Sequence, residues 1–235
     1  VCSSDLVGIK SIKRGLSLDM VKKNIPIILL LLMFFANAQD FTIARIHYSG
    51  GGDWYSDPSS LPNLLNYIRL NTTMKVSAQE ARVRVLDKEL TEFPFLYLTG
   101  HGNLRFSDEE SIRLREFLLS GAFLHVDDNY GLDQSFRQEI QKIFPDKSLV
   151  ELPHHHPIFS AYYNFPNGLP KIHEHDGKSP QAFAIFDEER IMVLYTYESD
   201  LGDGWEDAEV HNDSWSIREA ALKFGVNIVT FALTQ

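Results

Sequence analysis

The sequence predicts an α/β domain built on a mainly parallel sheet, and three observations carry that expectation. Short apolar runs of strand length recur between longer amphipathic runs of helix length. Two of the short runs, residues 93–99 (FPFLYLT) and 122–126 (AFLHV), are almost wholly apolar, as strands covered on both faces are. The runs end in Gly-, Asp- and His-bearing turns, and helices between strands imply right-handed crossovers.

Residues 41–48 (FTIARIHY) alternate apolar and polar positions and predict the first strand, ended by Ser49-Gly50-Gly51-Gly52-Asp53. Asp57-Pro58-Ser59-Ser60 supplies helix-start chemistry for 61–70, where Leu61, Leu64, Leu65 and Ile68 share a face. A second strand is expected at 81–86, and the buried strand 93–99 ends at Gly100-His101-Gly102. Ser107-Asp108-Glu109-Glu110 opens a helix whose acids complement its dipole, and Gly121 ends it. The strand at 122–126 runs into Asp127-Asp128-Asn129-Tyr130-Gly131, and a helix over 134–144 stops at Pro145. Regularity then falls. A short strand is expected at 149–152, and 153–181 read as a long excursion rich in His, Pro and Gly. Residues 182–186 and 191–197 predict a strand pair turning at 187–190. The remainder reads as an acidic loop at 201–214, a helix at 215–224 and a final strand at 226–233.

The first 38 residues stand apart. Met20, Lys22 and Lys23, the apolar run 25–35 and Ala36-Asn37-Ala38 form a secretory signal pattern, so the mature chain is expected to begin at Gln39. Residues 1–19 are expected to be upstream or adapter-derived read-through. The apolar run falls short of the roughly 20 residues that cross a bilayer comfortably, although a retained anchor is the alternative. No Cys lies near the cleavage pattern, which argues against a lipoprotein. Residues 39–235 are expected to be a single domain, periplasmic or secreted, with no stable membrane span after cleavage.

The whole chain carries a net charge of −10. Setting aside the five basic and two acidic residues of 1–38 leaves 17 basic and 30 acidic residues, a net of −13. That balance argues against a nucleic-acid backbone as partner, which needs clustered Lys and Arg. The one Cys, Cys2, lies in the segment set aside, so the domain has no disulfide, no Cys-rich zinc site and no thiolate nucleophile. There is no Gly-x-Ser-x-Gly elbow, no Gly-x-x-x-x-Gly-Lys-Ser/Thr phosphate loop and no Gly-x-Gly-x-x-Gly turn.

In open parallel sheets, ligands bind beyond the carboxyl ends of the strands. Those ends carry Asp53 and Trp54, then His101, then Asp127 and Asp128. His101, Asp127 and Asp128 are the candidate catalytic groups. The bland alternative has an Asp capping the next helix and His101 shaping a turn. Neighbouring strand residues point to opposite faces, which counts against cooperation between Asp127 and Asp128. Asp53, Trp54, Tyr55, His156 and Trp205 are candidate ligand contacts, and Trp215 offers another flat apolar face. His173 and His175, two residues apart, share a face if extended and make candidate metal ligands with a carboxylate as third partner. The alternative is histidines that are structural or touch ligand. Glu198, Asp200, Asp203, Glu206 and Asp207, interleaved with Gly202 and Gly204, lack the spacing of an EF-hand. A solvated acidic lid with Trp205 packed inward fits them better.

Six motifs carry a family resemblance. They are Gly51-Gly52-Asp53-Trp54-Tyr55-Ser56-Asp57-Pro58, Leu98-Thr99-Gly100-His101-Gly102, Asp127-Asp128-Asn129-Tyr130-Gly131, His156-Pro157-Ile158-Phe159, Lys171-Ile172-His173-Glu174-His175-Asp176-Gly177 and Asp200-Leu201-Gly202-Asp203-Gly204-Trp205-Glu206-Asp207. Over essentially all of 41–235 the chain resembles a bacterial family of exported or membrane-associated proteins with no assigned function, whose fold is similar to class I glutamine amidotransferases and trehalose-utilisation-like proteins. The resemblance implies a flavodoxin-like, doubly wound, mainly parallel sheet carrying the irregular His/Pro/Gly-rich excursion. It implies no reaction. The amidotransferase elbow carries a Cys nucleophile, and here Asp127 and Asp128 stand at the corresponding turn. The leading expectation is a domain that binds a polar small molecule or glycan, such as a cell-envelope component, at the strand ends. The alternatives are a hydrolase that uses a metal or carboxylates, with a divalent metal as candidate cofactor, and a non-catalytic module contacting an envelope protein.

Overall fold

The computed structural model describes residues 40–235. The signal pattern and the read-through at 1–38 lie outside the described residues. Among the described residues no helix is long and apolar enough to cross a membrane.

The chain runs β1 (Ala44–Ile46), α1 (Ser60–Asn71), β2 (Ala81–Val83), β3 (Phe95–Leu98), α2 (Asp108–Leu119), β4 (Phe123–Asp127), α3 (Asp133–Ile143), β5 (Val150–Glu151), β6 (Gln181–Asp187), β7 (Arg190–Tyr197), α4 (Leu201–Trp205), α5 (Ala208–His211) and α6 (Trp215–Thr234). One seven-stranded sheet has the order β2-β1-β3-β4-β7-β6-β5. The first five strands in that order are parallel, while β6 and β5 add to its far edge antiparallel. The side-chain alternation of strands divides the core in two. Phe95, Tyr97 and Phe123 meet α1 and α6 in one apolar cluster. Leu96, Leu98, Leu124 and Val126 meet α2 and α3 in the other.

Local chemistry accounts for the element ends. Ser107 and Glu110 form a reciprocal capping box at α2: Ser107 Oγ accepts from the Glu110 N–H at 3.1 Å, and Glu110 Oε2 accepts from the Ser107 N–H at 2.7 Å. The excursion is stapled to α6 by Asn227, which is fully buried. Its amide donates to the Ile158 and Tyr163 carbonyls and accepts from the Tyr162 and Tyr163 N–H groups.

Two expectations are overturned. Residues 226–233 are not a strand but the second half of α6. The continuous apolar run that resembled a strand is a helix buried on nearly every side, from Ala221 to Val229. Gly225, between the expected helix and strand, is a contact point: a Cβ there would stand 2.5 Å from Leu64 Cδ1 and 3.1 Å from Trp205 Cζ2. Gly225→Ala should therefore lower stability by about 1–2 kcal/mol in urea unfolding, the clash outweighing a helix-propensity gain of about 1 kcal/mol. A stabilised variant would show slack at that crossing. The second correction concerns 201–214, which is no open loop but the short helices α4 and α5, with α4 folded against α1 and α6.

Candidate functional site

Arg45, buried on β1, arranges the entry to the site. Its guanidinium donates to the Ser56 carbonyl at 2.8 Å, to the Asp57 carbonyl at 3.2 Å and to Ser60 Oγ at 3.1 Å, and it pairs with Glu80 at 3.0 Å. This fixes the turn that aims Asp57 inward. Asp57 adopts φ +53, and Tyr130, Glu198 and Asp200 are also left-handed. Four of the six described non-glycine residues with positive φ thus lie around the carboxyl ends of the parallel strands, the kind of strain that functional sites store.

Between the turns after β1 and β3, Asp53 binds His101 twice. One carboxylate oxygen accepts from the His101 backbone N–H and the other sits 3.1 Å from the ring Nδ1. The imidazole is half exposed, and its Nε2 makes no hydrogen bond among the described residues. His101 forms one wall of an open hollow of about 350 Å³. The other walls are Asn129, Tyr130, His173, Glu174, His175 and Asp200.

Opposite His101, the end of the excursion meets α4. His173 Nδ1 lies 2.9 Å from Asp203 and 3.3 Å from Asp200, and its Nε2 lies 2.9 Å from Asp213. His175 Nε2 lies 2.9 Å from the same Asp200 oxygen. The i, i+2 spacing thus does place both imidazoles on one carboxylate. The Asp200 hydrogen bond lifts the His173 pKa to about 9 against the opposing effect of burial, and raises that of His175. Burial works to raise Asp200, but its bonds to the two imidazoles outweigh it and hold the carboxyl below its usual range. Burial and the nearby Asp203 push Asp57 well up. His211 completes the cluster, with Nε2 3.4 Å from Asp203 and 3.1 Å from Glu206.

The candidate catalytic trio is not assembled. Asp127 is fully buried, accepts from the Gly202 N–H at 2.7 Å at the start of α4, and is hydrogen-bonded to Thr196 Oγ1. Burial, then Asp200, drives its pKa well above the carboxylate range. Asp128 is also buried and accepts from the Leu132 N–H at 3.1 Å, closing the turn into α3; burial raises it to about 6. Both carboxyls are occupied as structural acceptors, the bland alternative, and only His101 of the three lines the hollow.

The ligand-contact set divides as well. Trp54 stacks on His47 at 4.0 Å and Tyr55 is exposed beside it, both next to the Asp53–His101 pair. Trp205 is core, its indole N–H donating to the Ala221 carbonyl and its ring packed near Tyr97 and His125, so it offers no ligand face. His156 lies away from the hollow. Its Nδ1 accepts from the Ile158 N–H, and its ring packs near Phe231 and Phe186. It borders a larger cleft of about 760 Å³ with Asp187, Arg190 and Gln235. There Asp187 and Arg190 pair with each other at 3.6 Å, beside Glu188 and Glu189.

The family model described as Domain of unknown function (DUF4159) matches residues 42–233. The chain belongs to this family. No curated protein matches it. In this DUF4159 member, three residues of the site escaped the sequence reading: Asp57, taken only as helix-start chemistry, and His211 and Asp213, taken as parts of an acidic loop. The one available signal was a histidine inside a stretch otherwise rich in acids.

Proposed function

We propose that this chain is an exported domain that binds a polar, hydroxyl-rich ligand, a saccharide or another cell-envelope component, in the hollow at the carboxyl edge of its sheet. The carrying observation is the convergence in one hollow of an Asp53-oriented imidazole with His173, His175 and Asp200. Carboxylates and imidazoles offer the acceptors and donors that hydroxyl groups need, and Tyr130 supplies an exposed ring at the rim. The β2-β1-β3-β4-β7 order supports a flavodoxin-like, doubly wound fold similar to class I glutamine amidotransferases, in which β1 and β3 flank the point where strand order reverses. Amidotransferase chemistry has no nucleophile here, since residues 39–235 contain no Cys.

A second reading, a hydrolase, is favoured by the Asp53–His101 pair itself. A carboxylate holding Nδ1 leaves Nε2 to take a proton from water, the arrangement of a base with its orienting partner. A thermal-shift panel of oligosaccharides and peptidoglycan fragments tests binding, with product analysis of each mixture testing turnover. A ligand at about 100 times its Kd adds about 2.7 kcal/mol, a rise of roughly 5–10 °C for a domain of this size. His101→Ala should abolish the rise. A rise unchanged in that variant moves the site elsewhere, and a panel without any response sinks the saccharide reading.

A further inference from the structure

We propose that His173, Asp203 and His211 hold one divalent transition-metal ion, zinc by the chemistry of the donors, at the wall of the hollow. One ligand atom from each of the three lies within 4.8 Å of the others. Two imidazoles and a carboxylate are a donor set of catalytic zinc, which leaves a fourth position for water or a ligand group. Zinc bonds of about 2.0–2.1 Å in a tetrahedron put neighbouring ligand atoms about 3.3 Å apart. Asp203 Oδ2 already lies 2.9 Å from His173 Nδ1, and its other oxygen, Oδ1, lies 3.4 Å from His211 Nε2. His173 Nε2 is held by Asp213 at 2.9 Å, the carboxylate support that orients metal-binding histidines.

Hydrogen bonding alone would explain such distances, but it leaves the charge uncompensated. Asp200, Asp203, Glu206 and Asp213 pair with the imidazoles of His173, His175 and His211, Asp57 accepts from Asn129 and Glu206 also from Ser59, and no described Lys or Arg pairs with any of the five. Setting aside Asp57, which burial holds toward its neutral form, four carboxylates against three imidazoles remain in excess even if every ring is protonated. Two of the carboxylates are also unsatisfied. Asp57 Oδ2 and Asp200 Oδ1 have no hydrogen-bond partner, although the residues are only 6% and 3% exposed. Asp57 and Glu206 each bring an oxygen within 4.8 Å of an Asp203 oxygen, adding oxygen donors beside the same place. A cation held by His173, Asp203 and His211 answers the excess charge.

The experiment is zinc titration of the chelator-stripped full chain by calorimetry, without any polar ligand, so that its failure is separate from failure of the binding reading. One zinc per chain is expected, weakened at least tenfold in His211→Ala and in Asp203→Asn. Cobalt added to the unmodified chain should give the intense visible bands of a four-coordinate site, which decides the matter even if a variant fails to fold. The proposal is overturned if zinc does not bind, if cobalt shows only six-coordinate bands, or if both variants bind zinc unchanged. It is equally overturned if His155→Ala, and not His211→Ala, removes the ion, since that puts it on the His154–His156 run.

Discussion

Asp127→Ala should lower the unfolding free energy by about 3–5 kcal/mol, whereas Asp127→Asn should stay within about 1 kcal/mol of the unmodified chain. The carboxyl is fully buried and gives the Gly202 N–H its acceptor at 2.7 Å while also bonding Thr196 Oγ1. Truncation orphans the N–H at the start of α4 and opens a void beneath it. Each unsatisfied buried group costs about 1–3 kcal/mol, and lost packing adds to that. The amide keeps the shape and one acceptor. It also matches the charge, because burial keeps the Asp127 carboxyl protonated well above its ordinary range. Chemical denaturation of the two variants measures the contrast. Equal losses in both would mean that the ionised carboxylate is what the fold requires. A stable Asp127→Asn that nonetheless loses the ligand response would return this residue to the site.

The way Asp127 and Asp128 part company was legible in the sequence, because neighbouring strand residues face opposite sides. Asp127 follows Tyr97 and His125 toward the α1–α6 face, and Asp128 turns to the N-terminus of α3. The strands before His101 and Asp127 were equally legible: their near-continuous apolar runs can only be covered on both sides. The capping box at Ser107 and Glu110 is local chemistry and needs no tertiary information. His173 and His175 were found because two-residue spacing brings them to one carboxylate. What a linear reading could not supply is closure over distance. Asp57 and Glu206 are brought together across the sheet by β1, α1 and α4, and His211 reaches Asp203 because 201–211 coils into two short helices where only a loop was visible. The strand expected at 226–233 failed for a related reason. Apolar periodicity separates a helix from a strand only when one face is wet, and α6 is wedged among α1, α4 and the excursion.

The other large effect is expected in acid, and it comes from His125. This imidazole is buried beside Tyr97 and Trp205, and its one hydrogen bond runs from Nε2 to Thr196 Oγ1 at 2.9 Å. Burial lowers its pKa from 6.5 to about 3. Below pH 6.5 the unfolded chain protonates His125 while the folded chain keeps it neutral, so acid favours unfolding throughout the interval down to about pH 3. A gap of that width is worth up to about 5 kcal/mol at its lower end. Buried Asp57 and Asp127 act in the opposite sense. Their folded-state pKa values are raised, so the stability they add is present at low pH and lost as pH rises above the unfolded value of 3.8. The total profile therefore mixes both signs, and a difference between two chains isolates the histidine. His125→Gln keeps a neutral hydrogen-bonding side chain next to Thr196 and removes the titration. At pH 7–8 the variant should be less stable by about 1–2 kcal/mol, the cost of an imperfect replacement. Its unfolding free energy should then fall less steeply than that of the unmodified chain from pH 6.5 downward, so that the two curves cross before pH 3. Urea titrations at half-unit pH steps measure both curves. Curves that stay parallel through that interval would mean that His125 takes up its proton in the folded state as readily as in the unfolded one, and that the buried Asp127–Thr196–His125 chain carries charge after all.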